Sequence, residues 1–391
     1  MRAQHFHGAV DSAGQPLAFT VDNGRFSHFG APQPGSPPGD ATDLTGYTVL
    51  PALVDGHIHL DKSFVGDRWH PHRPVDSLRE RLAQEKDALA TAAPMADRAE
   101  ALIRQIVGWG TSAVRCHIDM DATTGLRNLH AVQAAHARCA HLLDIQYVAF
   151  PQAGVMSCAG TAQVLQQALE SGVQVIGGID PDLLDGDAHG QLDLLFDLAQ
   201  RHGARIDIHL HEPGEQGLRQ LQRICERTAA GGLQGRVAVS HAYALGEVPL
   251  ARALQVGEQL ARADVAIMTN APGDHPFPPV AALHAVGVRL FAGNDNIRDS
   301  WWPYGNGDLL QRAMLIGYRS GFNTDAELQL ALDMVTTHAA AVLGLQDHGL
   351  GEGKPATFFA VRADNAAAAV AGTPAARLSM RQGRWVVPPP V

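Results

Sequence analysis

The stretch Val54-Asp-Gly-His-Ile-His-Leu-Asp-Lys-Ser-Phe64 sets two histidines, His57 and His59, two residues apart at the end of an apolar run. On a β-strand, residues i and i+2 face the same side, so both imidazoles project into one space. Two neutral imidazoles side by side make half of a tetrahedral metal site, because histidine nitrogen suits zinc and iron. In a chain with 20 histidines a bare His-x-His arises readily by chance. Its weight comes from further residues able to complete the set: His117 and Asp119, Gln152, Asp180, His209 with His211 and Glu212, His241, Asn270 and Asp295.

Each of these residues stands just past a strand-like apolar run. The runs are 49–59, 112–118, 144–150, 173–179, 205–210, 236–240, 264–269 and 288–293, with helical periodicity between them at 77–90, 95–108, 191–202, 215–230 and 308–318. Alternating strands and helices in this number are the signature of an α/β (β/α)8 TIM barrel. An open doubly wound sheet has no need of eight units, and no glycine-rich phosphate loop follows the first strand. In such barrels the active site lies at the C-terminal rim of the strands. A polar residue at one strand end is commonly a turn former; His- and Asp-rich positions at all eight point to a shared site.

The flanks read differently. Leu17-Ala-Phe-Thr-Val21 and Arg25-Phe-Ser-His-Phe29 alternate like hairpin strands, 31–40 is a Pro/Gly-rich loop, and Ala356-Thr-Phe-Phe-Ala-Val361 and Arg384-Trp-Val-Val387 are strand-like. Residues 1–50 and 345–391 are expected to pair into one small β-sandwich domain beside a barrel of residues 51–344. At 391 residues and 46% hydrophobic content the chain can bury such a core. A formal charge of −10 without any basic block disfavours nucleic-acid binding. No apolar run reaches the ~20 residues of a membrane span. The N-terminus has no signal-peptide core, and the four cysteines show no CxxC spacing, so a reducing, cytoplasmic location is expected.

His57, His59, one of the pair His209/His211, and Asp295 form a candidate N3O ligand set that leaves a position for water. His209 stands at the strand end proper and is the choice; His211 is its neighbour. No lysine occurs between Lys86 and Lys354, so a carbamylated lysine from the middle strands cannot bridge two metals, and one divalent ion, zinc or iron, is expected. A bound divalent cation lowers the pKa of its water to ~7. A hydrolysis also needs a proton for the leaving group, and Glu212, three residues past His209, is the candidate general acid/base. The alternative is a glutamate at a helix N-terminus. His241 would orient the hydroxide or stabilise developing negative charge.

With these residues assembled, the chain resembles the amidohydrolase superfamily, in its cytosine deaminase-like branch. The likeness runs over nearly the whole length through His-Ile-His-Leu-Asp (57–61), Arg-Cys-His-Ile-Asp (115–119), Val-Ala-Phe-Pro-Gln (148–152), Ile-Asp-Ile-His-Leu-His-Glu (206–212), Ser-His (240–241) and Asn-Asp-Asn-Ile-Arg-Asp-Ser-Trp-Trp-Pro (294–303). The resemblance implies a single iron or zinc on His57, His59, His209 and Asp295, with Glu212 as proton shuttle and His241 as hydroxide-orienting group. It also implies that Gln152 reads the polar edge of a heterocycle and that Trp301 packs on the ring. The reaction implied is loss of an amino group from a small N-heterocyclic substrate, and a homo-oligomer is expected.

Two departures qualify it. Asn296 stands where cytosine deaminases carry a second Asp, which removes a charged acceptor for a ring N–H. The runs Asp61-Lys-Ser-Phe64, Gly177-Gly-Ile-Asp-Pro181 and Asp295-Asn-Ile-Arg-Asp299 are closer to N-isopropylammelide isopropylaminohydrolase-like triazine hydrolases, which remove an alkylamine but lack a glutamate at the position of Glu212. Competing expectations are a ring-opening cyclic-amide hydrolase, with Arg298 for a carboxylate, and a non-catalytic metal-binding scaffold. Trp302 and Phe277 are further candidates for an aromatic slot.

Overall fold

The computed structural model describes residues 3–33, 39–76, 78–273 and 275–389, with the backbone alone at 78 and 79. Part of the 31–40 loop and the first residue of the expected 77–90 helix therefore lie outside the described residues.

Eight parallel strands follow one another round a barrel: Leu53–Ile58, Thr111–Asp119, Asp144–Phe150, Val175–Ile179, Arg205–Leu210, Val237–His241, Val265–Thr269 and Leu290–Ala292. Helices cover their outer faces, so nearly every strand residue is buried on both sides. This is why the strands read as continuous apolar runs and not as alternating ones. The first and eighth strands close the ring through a bridge between Ile58 and Asp295 and a bond from Asp295 N to His57 O of 2.7 Å. Gly293 permits this approach: a Cβ there would lie 2.4 Å from His57 N. Asp55 completes the seam by accepting from Asn294 N (3.0 Å) and Asn294 Nδ2 (2.7 Å).

The N-terminal end of the barrel is filled by small and apolar side chains, among them Val54, Ala113, Ala238, Ala266 and Met268. Helix Thr337–Leu343 plugs it with Ala339, Ala340 and Val342. Arg115 runs up the interior, donating to Val342 O (3.2 Å) at the plug and to Asp207 Oδ2 (2.8 Å) above it.

Strands from both chain ends join one further eight-stranded sheet. Phe358, on strand Phe358–Arg362, reaches Phe19 at 5.4 Å and Phe26 at 6.3 Å, although two and three strands respectively intervene along the sheet. The sheet therefore curls until its two halves face each other like a sandwich, around Phe6, Phe19, Phe26, Phe358 and Met380. The run 49–59, expected as one strand, is divided between two. Tyr47–Pro51 pairs with Phe358–Arg362 in the curled sheet, and Leu53–Ile58 starts the barrel. Pro51 has no N–H to continue its ladder, and Leu53 N turns to Gly110 O instead, at 3.1 Å.

The four cysteines are free thiols. Among the described residues no helix is long and apolar enough to cross a membrane.

Candidate metal centre

The C-terminal strand ends converge as the sequence suggests. Backbone strain collects there: Asp180, His241, Ala242, Ala271 and Asp295 all adopt positive φ, a conformation that non-glycine residues seldom take without a reason in the surrounding structure.

The hydrogen bonds settle the proton positions of the first two histidines. His59 Nδ1 lies 3.1 Å from the His117 carbonyl oxygen, which can only accept, so His59 carries its proton on Nδ1. Ser240 Oγ donates to Asp207 Oδ1 at 2.7 Å, and so accepts from His57 Nδ1 at 2.9 Å. In the neutral rings both Nε2 atoms therefore present bare lone pairs. They lie 3.4 Å apart, and Asp295 Oδ1 lies 3.5 Å from one and 3.3 Å from the other. Three acceptors with no proton among them, all buried, repel one another unless a cation lies between them.

His209 fits the same account. Both of its nitrogens are buried without a partner, its ring is 4.6 Å from that of His57, and it stacks on Phe150 at 4.0 Å. Burial, reinforced by the neighbouring imidazoles, holds its pKa well below the usual histidine range, which keeps it neutral and able to ligate. His57, His59 and Asp295 form one group of mutually close ligand atoms, and His57, His209 and His241 form another. The donor set thus suits a zinc- or iron-type cation. Asp295 Oδ2 accepts from Asn270 Nδ2 at 2.8 Å, which leaves Oδ1 to the histidines.

His241 is buried, with its ring 5.3 Å from His57 and 5.1 Å from His209, and Nδ1 3.3 Å from Tyr243 Oη. Burial and the adjacent His211 push its pKa well below the usual value. His211 turns to Asp180 Oδ2 at 2.8 Å and stacks on His241 at 4.6 Å. Glu212 is fully buried. Its Oε1 accepts from Asp182 N (2.6 Å) and Leu183 N (3.0 Å), and burial raises its pKa against the pull of these amides and of the Gln220 side chain.

Gln152, Trp301 and Asn296 lie on the rim, joined by acids that sequence reasoning missed. Glu85, on helix Leu78–Thr91, accepts from Gln152 Nε2 and Trp301 Nε1. Asp299 accepts from Asn296 Nδ2 (2.5 Å) and from the backbone amides of Trp301 and Trp302. Trp302 instead meets Tyr304 at 5.4 Å, and Phe277 lies under Arg319 at 4.7 Å. His117 stacks on His57 at 3.7 Å, its nitrogens make no hydrogen bond, and Nε2 lies 3.7 Å from Asp207 Oδ2; Asp119 pairs with Lys62 at 3.0 Å. Asp207 and Ser240 could have been found: Asp207 shares the inward face of its strand with His209, and a lone carboxylate inside an apolar strand needs a partner. Glu85 sits on a helix with no distinguishing pattern around it.

The model of the family described as "Amidohydrolase family" matches residues 66–387. N-isopropylammelide isopropyl amidohydrolase of Pseudomonas sp. strain ADP is 32% identical over 328 residues, 81% of this chain and 80% of that protein. The crystal structure of N-isopropylammelide isopropylaminohydrolase from Burkholderia multivorans superposes with a TM-score of 0.93 at 37% identity, over 99% of this chain and 98% of the other. That of 5-methylcytosine deaminase from Klebsiella pneumoniae, liganded with 5-fluorocytosine, gives 0.87 at 27% identity over the same shares.

Proposed function

Because this chain belongs to the amidohydrolase family, we propose that it hydrolytically removes an amino group, as ammonia, from an N-heterocycle such as an aminopyrimidine. The observation that carries the reading is the set of bare acceptor atoms on His57, His59, His209 and Asp295, gathered at the barrel rim beside a neutral His241. Those four residues would hold one divalent cation, which when bound makes water acidic enough to attack at neutral pH.

The remaining work falls to the protein. Neutral His241 orients the attacking water and takes its proton. Glu212 holds a proton at Oε2, the oxygen its backbone donors leave free, and delivers it to the departing nitrogen. A carbon–oxygen bond forms and a carbon–nitrogen bond breaks, so the ring leaves as its oxo form. Trp301 packs on the ring, while Gln152 and Asn296 meet its polar edge. The likeness to an N-isopropylammelide isopropylaminohydrolase at 37% identity favours a second reading, in which the departing group is an alkylamine from a triazine.

The test is a panel of zinc- or ferrous-loaded protein against cytosine, 5-methylcytosine, a pterin and N-isopropylammelide, with ammonia and alkylamine measured separately. Ammonia supports the first reading and alkylamine the second. A new carboxylate without amine, the mark of ring opening, would overturn both.

A further inference from the structure

Glu85 is the charged group nearest the ring-reading residues that the chemistry above leaves unused. It is carried on helix Leu78–Thr91, is only 4% exposed, and bridges three strand ends. Its Oε2 accepts from Gln152 Nε2 at 2.8 Å, past the third strand. Its Oε1 accepts from Trp301 Nε1 at 2.7 Å, past the eighth, and lies 3.9 Å from Lys62 Nζ, past the first. Lys62 lies 5.3 Å from the Phe150 ring, whose stacking on His209 ties this group to the metal centre. Its two oxygens meet an indole N–H, a side-chain amide and the Lys62 ammonium, while the carboxylates of Asp119 and Asp299 lie near enough to feel its charge.

A carboxylate only accepts. An amide bonded to it must point its nitrogen at it, and the usual ambiguity over which end of a glutamine is which disappears. Gln152 Oε1 is then the end turned away from Glu85, and among the described residues it makes no hydrogen bond. We propose that Glu85 is a positioning residue that fixes the Gln152 amide with its carbonyl oxygen toward the ring, so that the site selects rings presenting an N–H at that edge. This rests on the heterocycle reading above and deepens it. A bare ring nitrogen at the same place would face a second acceptor and be rejected.

The test uses the metal-loaded full-length protein, with binding of cytosine and of N-isopropylammelide measured by calorimetry alongside turnover. Glu85→Ala frees the amide to turn, and binding is expected to weaken about tenfold, the range of one hydrogen bond, with kcat moving less than KM. Glu85→Ala in a Gln152→Ala background should add less than about twofold, because the effect runs through Gln152.

The exchanged pair Glu85→Gln with Gln152→Glu is the decisive arm. An amide at 85 can donate to the carboxylate at 152 and still accept from Trp301, and the second oxygen at 152 again faces the ring as an acceptor. Affinity is expected within about threefold of the parent, while Glu85→Gln alone stays weak. If the exchange gives no rescue, or if Glu85→Ala costs the same with and without Gln152, Glu85 is only a latch for its helix and the proposal falls. Binding patterns decide this point whichever amine, or none, is released, so its failure is distinct from failure of the proposed reaction. If neither ring binds the parent protein, both readings fall.

Discussion

Ser240→Ala tests the reasoning behind the metal centre most directly. The hydroxyl accepts from His57 Nδ1 (2.9 Å) and donates to Asp207 Oδ1 (2.7 Å), and Asp207 is held in turn by Arg115 at 2.8 Å. His57, Ser240, Asp207 and Arg115 are at most 1% exposed, so no solvent replaces what is lost. Removing the oxygen leaves a buried N–H without an acceptor and costs the carboxylate a donor, each worth about 1–3 kcal/mol. His57 then has reason to move its proton to Nε2, the atom that should face the cation. Because that tautomer cannot ligate, affinity for the metal should fall about 10- to 100-fold, the range found when a ligand histidine loses its outer partner. The assay is competition between the apoprotein and a chromophoric chelator for zinc, with a thermal melt of the same apoprotein. A variant that folds normally and binds zinc as tightly as the parent would refute the proton assignment and the ligand geometry built on it.

Other perturbations reach other parts of the structure. Gly293→Ala should destabilise the protein by several kcal/mol or prevent folding, because its Cβ would fall 2.4–2.8 Å from His57 backbone atoms at the barrel seam; soluble yield and a denaturant titration check this. Chelation should abolish amine release and zinc or iron should restore it, whereas His209→Ala should leave metal content well below one ion per chain by elemental analysis. Glu212→Gln should keep metal content normal while kcat falls about 10²-fold or more; full turnover would remove the proton-shuttle role. Asp299, buried and only partly compensated by Asn296 and the Trp301 and Trp302 amides, has its carboxyl pushed up to about 7 from 3.8. The folded state therefore keeps a proton that the unfolded chain loses, and this group's contribution to stability declines as pH rises from about 4 to 7. Urea titrations at several pH values should show that decline in the parent and less of it in Asp299→Asn; equal slopes would reject the assignment.

How much of this was legible beforehand follows from where each constraint acts. The barrel could be read because strands buried on both faces must be apolar throughout, and because rim residues must follow each of them. The His57/His59 pair was visible for the same local reason. The change of sheet inside Tyr47 to Val54 was not, since both segments are equally apolar and only the missing N–H of Pro51 hints at a break. Glu85 could not be foreseen: its role comes from partners on three different strand ends, and none of its sequence neighbours shares it. Ser240 and Asp207 fall between these cases, since inward position could be inferred from strand alternation but not their relay to His57.

The seam between the first and eighth strands has a consequence for how the molecule is made. Two ligand candidates lie at the start of the barrel, one lies midway, and Asp295 sits just past the closing strand. During synthesis the imidazoles leave the ribosome long before the carboxylate that completes the set, so the ion cannot be captured in full until the ring is shut. Once captured it acts as a clasp across the joint, tying the oldest strand to the youngest. Loss of the ion would then be felt first as loosening at that joint, ahead of any change in the curled sheet formed by the chain ends.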